Sequence, residues 1–194
     1  MKKIVLVLLI MMSPIWAQFS IYGGLQSMSA SGDYIQEGES VIGLSVGAAY
    51  GINDKLVVGA GISERGFSDT ATWTIDGVII DLEEEHSWTA ITVWCAYTLY
   101  STDRISLWVG PIYAALTSQD TEVTDVNSGS SVTADRDFDG GDLALMLGIS
   151  TPVGESMAIH IGYQYGISTM EQTLLVENNE FSLNQLFVNM SYGF

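Results

Sequence analysis

The sequence predicts an all-β fold, an eight-stranded antiparallel transmembrane β-barrel with short turns at one end and long loops at the other. Bulky apolar residues alternate with small or polar residues in several segments, as in β-strands whose two faces meet different surroundings. The mean hydropathy is +0.27 although the formal net charge is −17. No long apolar run follows residue 17, so the apolar residues are dispersed along the chain, as alternation disperses them.

Residues 1–17 have the pattern of a secretory signal peptide rather than of a core strand. Lys2 and Lys3 precede the apolar run "IVLVLLIMM", and the small residue Ala17 offers a cleavage point. The run is shorter than the roughly 20 apolar residues that a membrane-spanning helix needs. We therefore expect residues 1–17 to be removed and residues 18–194 to form the barrel domain. The single cysteine, Cys95, excludes an internal disulfide.

Four predicted strands show the cleanest alternation between a bulky face and a small face. A face of glycine, alanine and serine avoids both charge and bulk, so it suits the interior of a narrow eight-stranded barrel. The bulky face then points to lipid, where the sheet must close because every backbone polar group has to be paired. These strands, the second, third, sixth and seventh, are 41–52, 56–63, 143–150 and 159–167.

The first, fourth and fifth predicted strands, 19–28, 87–99 and 104–117, are less clear. Tryptophans and alanines fall on both of their faces; Trp88 and Trp94, for example, share one face of the fourth strand. The sequence therefore leaves open which face of these strands points inward.

The eighth predicted strand alternates from Leu186 to the aromatic residue Phe194. Aromatic side chains of membrane barrels gather in girdles at the two membrane interfaces. The residues expected in these girdles are Tyr50, Tyr163, Tyr165, Tyr192 and Phe194.

The predicted connections alternate in length. Short turns beside long loops are typical of outer-membrane barrels, in which the short turns are periplasmic and the long loops extracellular. Of the 23 acidic residues, only Asp54, Asp103 and Glu155 belong to the short turns. Segments 70–74 and 127–132 are candidates for strand tips that extend above the membrane and bind a partner by edge pairing. The short turns are 53–55, 101–103 and 152–155, and the long loops are 30–40, 69–85, 119–138 and 172–179.

Several segments carry a resemblance to a known family. They are "SERGF" (63–67), "LWVGPIY" (107–113), "DFDGGDLALMLGISTPVG" followed by "IHIGYQYGIS", and the terminal "FVNMSYGF". The chain resembles the PorT-like, OmpX-sized outer-membrane β-barrels common in Bacteroidetes-type bacteria. The resemblance implies an outer-membrane location among lipid and lipopolysaccharide. It also implies recognition of the closing strand, which ends at Phe194, by the barrel-assembly machinery. The family has no shared catalytic site, and some members are accessory to protein secretion and gliding.

The two histidines are the candidates for catalysis. His86 follows three glutamates, Glu83 to Glu85, at the predicted outer rim, where a carboxylate–histidine pair would activate water in a hydrolase or acyltransferase. The sequence favours the alternative interpretation, a solvated charged loop. His160 shares its face with Gln164, so we expect it to be a hydrogen-bonded residue inside the barrel.

The segment 134–142, "ADRDFDGGD", resembles the first half of a calcium-binding loop. Asp135, Asp137 and Asp139 have the required spacing, but Met146 stands where the loop pattern requires a bidentate glutamate. The segment is therefore a candidate divalent-cation site, for calcium and for bridging to lipopolysaccharide. The alternative is a loop kept hydrated by its carboxylates.

The sequence favours a non-enzymatic outer-membrane barrel without a continuous pore, with a structural or surface-interaction role for its acidic loops. Only four basic residues follow the signal peptide, so nucleic-acid binding is not expected. The alternatives are an outer-membrane hydrolase or acyltransferase using His86, an accessory component of protein secretion, and a periplasmic lipid carrier resembling a lipocalin. Glycine-rich inner faces argue against the lipid carrier.

Overall fold

The computed structural model describes residues 18–32, 39–75, 78–134, 138–139, 141–173 and 178–194, so the predicted signal peptide lies outside the described residues. Within these ranges the described residues contain no helix long and apolar enough to span a membrane. The strands are β1 (Phe19–Ser31), β2 (Glu39–Gly51), β3 (Leu56–Ile75), β4 (Val78–Ser101), β5 (Ser106–Asp125), β6 (Ser130–Ala134), β7 (Phe138–Asp139), β8 (Gly141–Pro152), β9 (Met157–Gly166), β10 (Met170–Thr173) and β11 (Asn178–Gly193).

Eight of these strands close into one antiparallel ring. Their order is β1-β2-β3-β4-β5-β8-β9-β11, and β11 pairs back onto β1. The closing seam runs from the pair Ser20 and Gly193 to the pair Ser31 and Ser182. β6 pairs with β5, and β10 pairs with both β11 and β7. The predicted eight-stranded antiparallel barrel is confirmed.

The three short turns occur where the sequence predicts them, at 52–55, 102–105 and 153–156. In the first, the Asn53 Oδ1 atom accepts hydrogen bonds from the backbone N–H groups of Lys55 and Leu56, both at 2.9 Å. In the third, Gly154 has φ +82°, a left-handed conformation that favours glycine. We call this end of the barrel the short-turn rim; the start of β1 and the end of β11 also lie there.

Two of the predicted long loops, 69–85 and 119–138, are largely strand instead. Beyond the pair Phe67 and His86, β3 and β4 continue through eight more pairs to Ile75 and Val78. At roughly 3.3 Å per residue, this hairpin adds about 26 Å to the barrel. The loop assignment was wrong because the threonines and isoleucines of this stretch favour paired strands.

The expected strand extension at 70–74 is thus present, and 127–132 divides into a turn at 126–129 and the start of β6. We call these extended strands the outer sheet. It consists of residues 68–75 of β3, 78–85 of β4, 118–125 of β5 and 130–134 of β6.

Bulky apolar side chains cover the outside of the ring. Leu44, for example, is 57% exposed, whereas Ala144 on the opposite face of the barrel wall is fully buried. The strands whose facing the sequence left open are now assigned: Trp88 and Trp108 point inward, and Ile91 and Val93 point outward. The outer belt includes Ile21, Leu25, Ile42, Leu44, Val46, Ile62, Ile91, Val93, Leu145, Leu147, Ile149, Ile161, Leu186, Val188 and Met190.

Two apolar clusters lie in the lumen at different heights. The outer plug, toward the outer sheet, consists of Met28, Ala30, Phe67, Trp88, Ala90, Ala114, Phe181 and Leu183. The inner cluster, nearer the short-turn rim, consists of Trp108, Ile112, Ala144, Met146 and Phe187, with Trp94 and Ala96 against it.

Candidate functional site

An ion pair spans the lumen between the two apolar clusters. The Arg65 Nη1 atom donates a hydrogen bond to the Asp142 Oδ2 atom, and Arg65 Nε donates to the Ser63 hydroxyl at 3.1 Å. Both charged side chains are buried. Because a buried charge needs a partner, each of these residues requires the other. The alternative interpretation of 134–142, a loop hydrated by its carboxylates, is wrong for Asp142, since this residue lies on β8 with its side chain inside the barrel.

Three glutamines lie at the height of this ion pair. The Gln185 Nε2 atom donates to Gln26 Oε1, and Gln26 Nε2 donates to the main-chain carbonyl of Glu64. The Oε1 atoms of Gln164 and Gln185 accept no hydrogen bond from the described residues. Asp142 Oδ1 is likewise without a donor among them. We call Gln26, Arg65, Asp142, Gln164 and Gln185 the polar layer.

A cavity of about 300 Å³ extends from the polar layer toward the short-turn rim. Four aromatic side chains, Tyr22, Trp94, Trp108 and Phe187, are among the residues that line it. The Trp94 Nε1 atom donates to the Tyr22 hydroxyl at 3.0 Å, and the rings of Trp108 and Phe187 stack with centroids 6.0 Å apart. At the rim end the lining changes to the small hydroxyl residues Ser20, Thr98, Ser106 and Ser191.

His160 lies beside this cavity and bonds through both ring nitrogens. Its Nδ1 atom is 2.7 Å from the Ser150 hydroxyl, and its Nε2 atom is 2.7 Å from the Ser191 hydroxyl. Trp108 Nε1 donates to the same Ser150 hydroxyl at 2.8 Å. The expectation of an interior, hydrogen-bonded His160 is confirmed.

The prediction of a solvated His86 at the rim is wrong. His86 is only 2% exposed; its ring packs on Phe67 with centroids 4.7 Å apart, and its Nδ1 atom lies 3.1 Å from the Thr121 hydroxyl. The Nε2 atom is 3.7 Å from a Glu84 carboxylate oxygen. Because β4 already begins at Val78, strand alternation turns His86 inward and Glu85 outward. A substrate at the surface therefore has little access to this histidine.

The outer sheet carries an exposed acidic face on β4 and β5. In the strand register Glu85 lies directly opposite Glu122, with both side chains exposed. Like charges directly opposite each other on a sheet are destabilising. Five of the acidic residues that the sequence predicted in loops thus lie on one face of a sheet. This acidic face consists of Asp81, Glu83, Glu85, Asp120 and Glu122.

The candidate calcium residues lie at the edge of what the structure describes. Asp135 and Asp137 are outside the described residues, and Asp139 is in β7, opposite Glu171 of β10. Elsewhere, among the side chains that the structure describes, no group of three or more histidines, cysteines, aspartates and glutamates could hold a metal ion. The calcium site stays a prediction.

Comparison with known proteins identifies the fold. No protein-family model matches the sequence, and no curated protein matches it. Among solved structures, it is similar to Neisserial surface protein A, with 15% identity over 91% of this chain and 97% of that one, at a TM-score of 0.52. It is also similar to Ail, the attachment invasion locus protein of Yersinia pestis, with 13% identity over 92% of this chain and 99% of that one, at a TM-score of 0.50. The outer membrane protein OprG from Pseudomonas aeruginosa has 13% identity over 93% of this chain and 97% of its own, at a TM-score of 0.50.

These likenesses show a shared fold, that of the small outer-membrane β-barrels. The structure itself adds the closed ring and the outward apolar belt, the two features that a sheet needs in order to lie in lipid. The protein is an eight-stranded barrel of the bacterial outer membrane.

Proposed function

We propose that this protein is a non-enzymatic surface-interaction barrel whose outer sheet binds a cationic segment of a partner protein. The observation that carries the proposal is the acidic face, in which Glu85 and Glu122 are paired as like charges. A cationic partner would relieve this repulsion, and complementary charge favours encounter and correct orientation.

The edge of the outer sheet supports the same proposal. Among the described strands, β6 pairs only with β5, so its other edge has no strand beside it there. Val132 on this strand is strongly exposed. An extended segment can add to such an edge through main-chain hydrogen bonds. A basic segment would then lie close to Glu122, which is opposite Thr133 of β6.

The proposal includes the orientation and export of the barrel. Residues 1–17 act as the signal peptide, and the short-turn rim faces the periplasm. The barrel-assembly machinery recognises β11, which ends beside Phe194, and the apolar belt contacts lipid and lipopolysaccharide. The buried outer plug supports the absence of a continuous pore.

Orientation and location can be tested together with single cysteines. Cys95 is first replaced by serine, and Asn127→Cys and Asp54→Cys are then made separately. A membrane-impermeant maleimide should label the Asn127→Cys variant on intact cells and the Asp54→Cys variant only after the outer membrane is opened. Both variants should be found in the isolated outer-membrane fraction, and each should change its mobility on a detergent gel when the sample is boiled. The reverse labelling pattern would contradict the orientation.

Partner binding can be tested with a matched pair of triple variants. Glu83→Gln/Glu85→Gln/Glu122→Gln removes three of the five charges of the acidic face, and Asp54→Asn/Asp103→Asn/Glu155→Gln removes the same formal charge at the short-turn rim. The probe is a lysine-rich peptide, and the barrel is held in nanodiscs of zwitterionic lipid. We expect the first variant to lose about tenfold in affinity, since exposed charge pairs contribute roughly 0.2–1 kcal/mol each. Equal losses in both variants would mean attraction by net charge alone.

A second candidate function is an accessory role in protein secretion. The segments that resemble PorT-like barrels, such as "LWVGPIY" (107–113), favour it. Deletion of the gene should then retain exported surface proteins inside the cell. Normal export in the deletion strain would remove this candidate and leave the surface-interaction role.

A further inference from the structure

We propose that the luminal cavity is a binding site for a small molecule with an apolar body and a hydrogen-bond-donating head, which enters from the short-turn rim. The site is separate from the acidic face and does not depend on the function proposed for it.

The volume and walls of the cavity set the body of the ligand. About 300 Å³ is at the lower end of the range for small-molecule pockets, so the site takes one small ring compound rather than a lipid chain. Tyr22, Trp94, Trp108 and Phe187 surround this space. Aromatic walls bind flat apolar groups by stacking and attract cations to the faces of the rings.

The end of the cavity at the polar layer determines which polar head group the ligand carries. Gln164 and Gln185 line it, are 5% and 3% exposed, and each has an Oε1 atom that receives no hydrogen bond from the described residues. A buried acceptor without a donor is unfavourable, so a ligand N–H placed between the two glutamines gains more than it would at the surface. The glutamines therefore select a donor.

The ion pair excludes the opposite chemistry. Arg65 lines the same end of the cavity, but its guanidinium already donates to Asp142 and to Ser63. An anionic head would place a second negative charge beside the buried Asp142 carboxylate, which already balances the charge of Arg65. A carboxylate ligand is consequently disfavoured, and an ammonium or amide head is favoured.

The route to the cavity follows from the filling of the lumen. Toward the outer sheet the cavity ends below the outer plug, in which Met28, Phe67 and Leu183 are almost fully buried. Toward the short-turn rim its lining includes Thr98 and Ser106, which are partly exposed. A ligand therefore enters from the rim side, without passing through the barrel.

Calorimetry with three probes tests the site on the whole barrel domain in nanodiscs. The probes are benzylamine, with a donor head, toluene, with no head, and phenylacetate, with an anionic acceptor head. We expect benzylamine to bind, toluene to bind more weakly and phenylacetate not to bind. Gln164→Leu/Gln185→Leu should lower the affinity for benzylamine about tenfold, as expected for one lost hydrogen bond, and should leave the affinity for toluene unchanged.

Two further variants control for folding and for partition into lipid. Thr121→Val removes a buried luminal hydroxyl on the far side of the outer plug and should bind benzylamine as the wild type does. Ala49→Leu fills the cavity and should abolish binding of both benzylamine and toluene. A heat-dependent gel shift confirms that each variant is folded. Absent benzylamine binding, equal binding of phenylacetate, or an equal loss in Thr121→Val would overturn the proposal.

Discussion

Arg65 and Asp142 form an ion pair between strands that are not neighbours in the ring: β3 and β8 are separated by β4 and β5. The pair therefore crosses the lumen and ties together two parts of the barrel wall that share no backbone hydrogen bonds. Its two residues are 77 positions apart in the sequence.

Breaking this ion pair should destabilise the barrel strongly. Asp142→Leu leaves the Arg65 charge buried and unpaired, and we expect it to lower the free energy of unfolding by about 3–5 kcal/mol. The double variant Arg65→Met/Asp142→Leu removes both charges and should recover most of that loss. Urea unfolding in detergent, followed by tryptophan fluorescence, measures both. A double variant that is no more stable than Asp142→Leu would show that the unpaired charge of Arg65 is not the cause of the loss.

Gly148 provides the space for an aromatic ring. It lies directly opposite Trp108 across the β5–β8 pair, and a Cβ atom on Gly148 would overlap the Trp108 ring. Gly148→Val should therefore cost about 1–3 kcal/mol of overpacking. Adding Trp108→Leu should restore part of this loss.

Gly193→Val is the matched control, because a Cβ atom there meets its nearest neighbour, the Ser156 carbonyl oxygen, at an ordinary 3.8 Å. Its urea midpoint should stay near that of the wild type. Equal destabilisation at Gly148 and Gly193 would mean that the strand, and not the ring, sets the requirement for glycine.

Asp125 holds the turn between β5 and β6 in a pH-dependent manner. The Ser128 hydroxyl donates to its carboxylate at 2.7 Å and the Asn127 N–H at 2.9 Å, and these bonds lower the pKa of Asp125 below its ordinary value. A lowered folded-state pKa stabilises the turn above the unfolded pKa, and this is lost as the pH falls through the folded value. Ser128→Ala should raise the pKa of Asp125, as measured by carboxylate NMR titration. An unchanged pKa would assign the shift to the backbone donor.

Calcium binding is predicted for the segment that contains Asp135, Asp137 and Asp139. We expect an affinity in the range of extracellular calcium modules, about 10⁻⁴ to 10⁻³ M. The triple asparagine variant at these positions should lose it, whereas Glu83→Gln/Glu85→Gln/Glu122→Gln should keep it. Calorimetry with calcium alone distinguishes the two. A loss in the second variant only would place the ion on the acidic face.

The strand pattern was readable from the sequence because glycine, alanine and serine mark the inner face of β2, β3 and β8. The same rule failed for β4 and β5, whose inner faces carry Trp88, Trp94 and Trp108. A glycine on the neighbouring strand leaves room for two of these rings, Gly59 for Trp94 and Gly148 for Trp108. This fit between glycine and ring depends on the register between neighbouring strands, and the register cannot be inferred from the alternation within one strand.

The candidate site was less predictable than the fold. Arg65 appeared in the sequence only as part of "SERGF", and nothing near it identified Asp142 as its partner. His86 was placed in a loop because three adjacent glutamates suggest solvent, although only every second residue of that stretch faces outward. The unpartnered oxygens of Gln164 and Gln185 depend on where the chain comes together across the lumen.

The seam between β1 and β11 has a consequence for the time course of assembly. Its pairs, from Ser20 with Gly193 to Ser31 with Ser182, join the first and last strands of the ring. Until both strands are in place, each leaves a full row of backbone donors and acceptors open, and an open row is costly in lipid and prone to wrong pairing in water. Such distant contacts also form slowly. Closure is therefore nearly all-or-none, and a chain that stalls before β11 gains little of the stability of the finished ring.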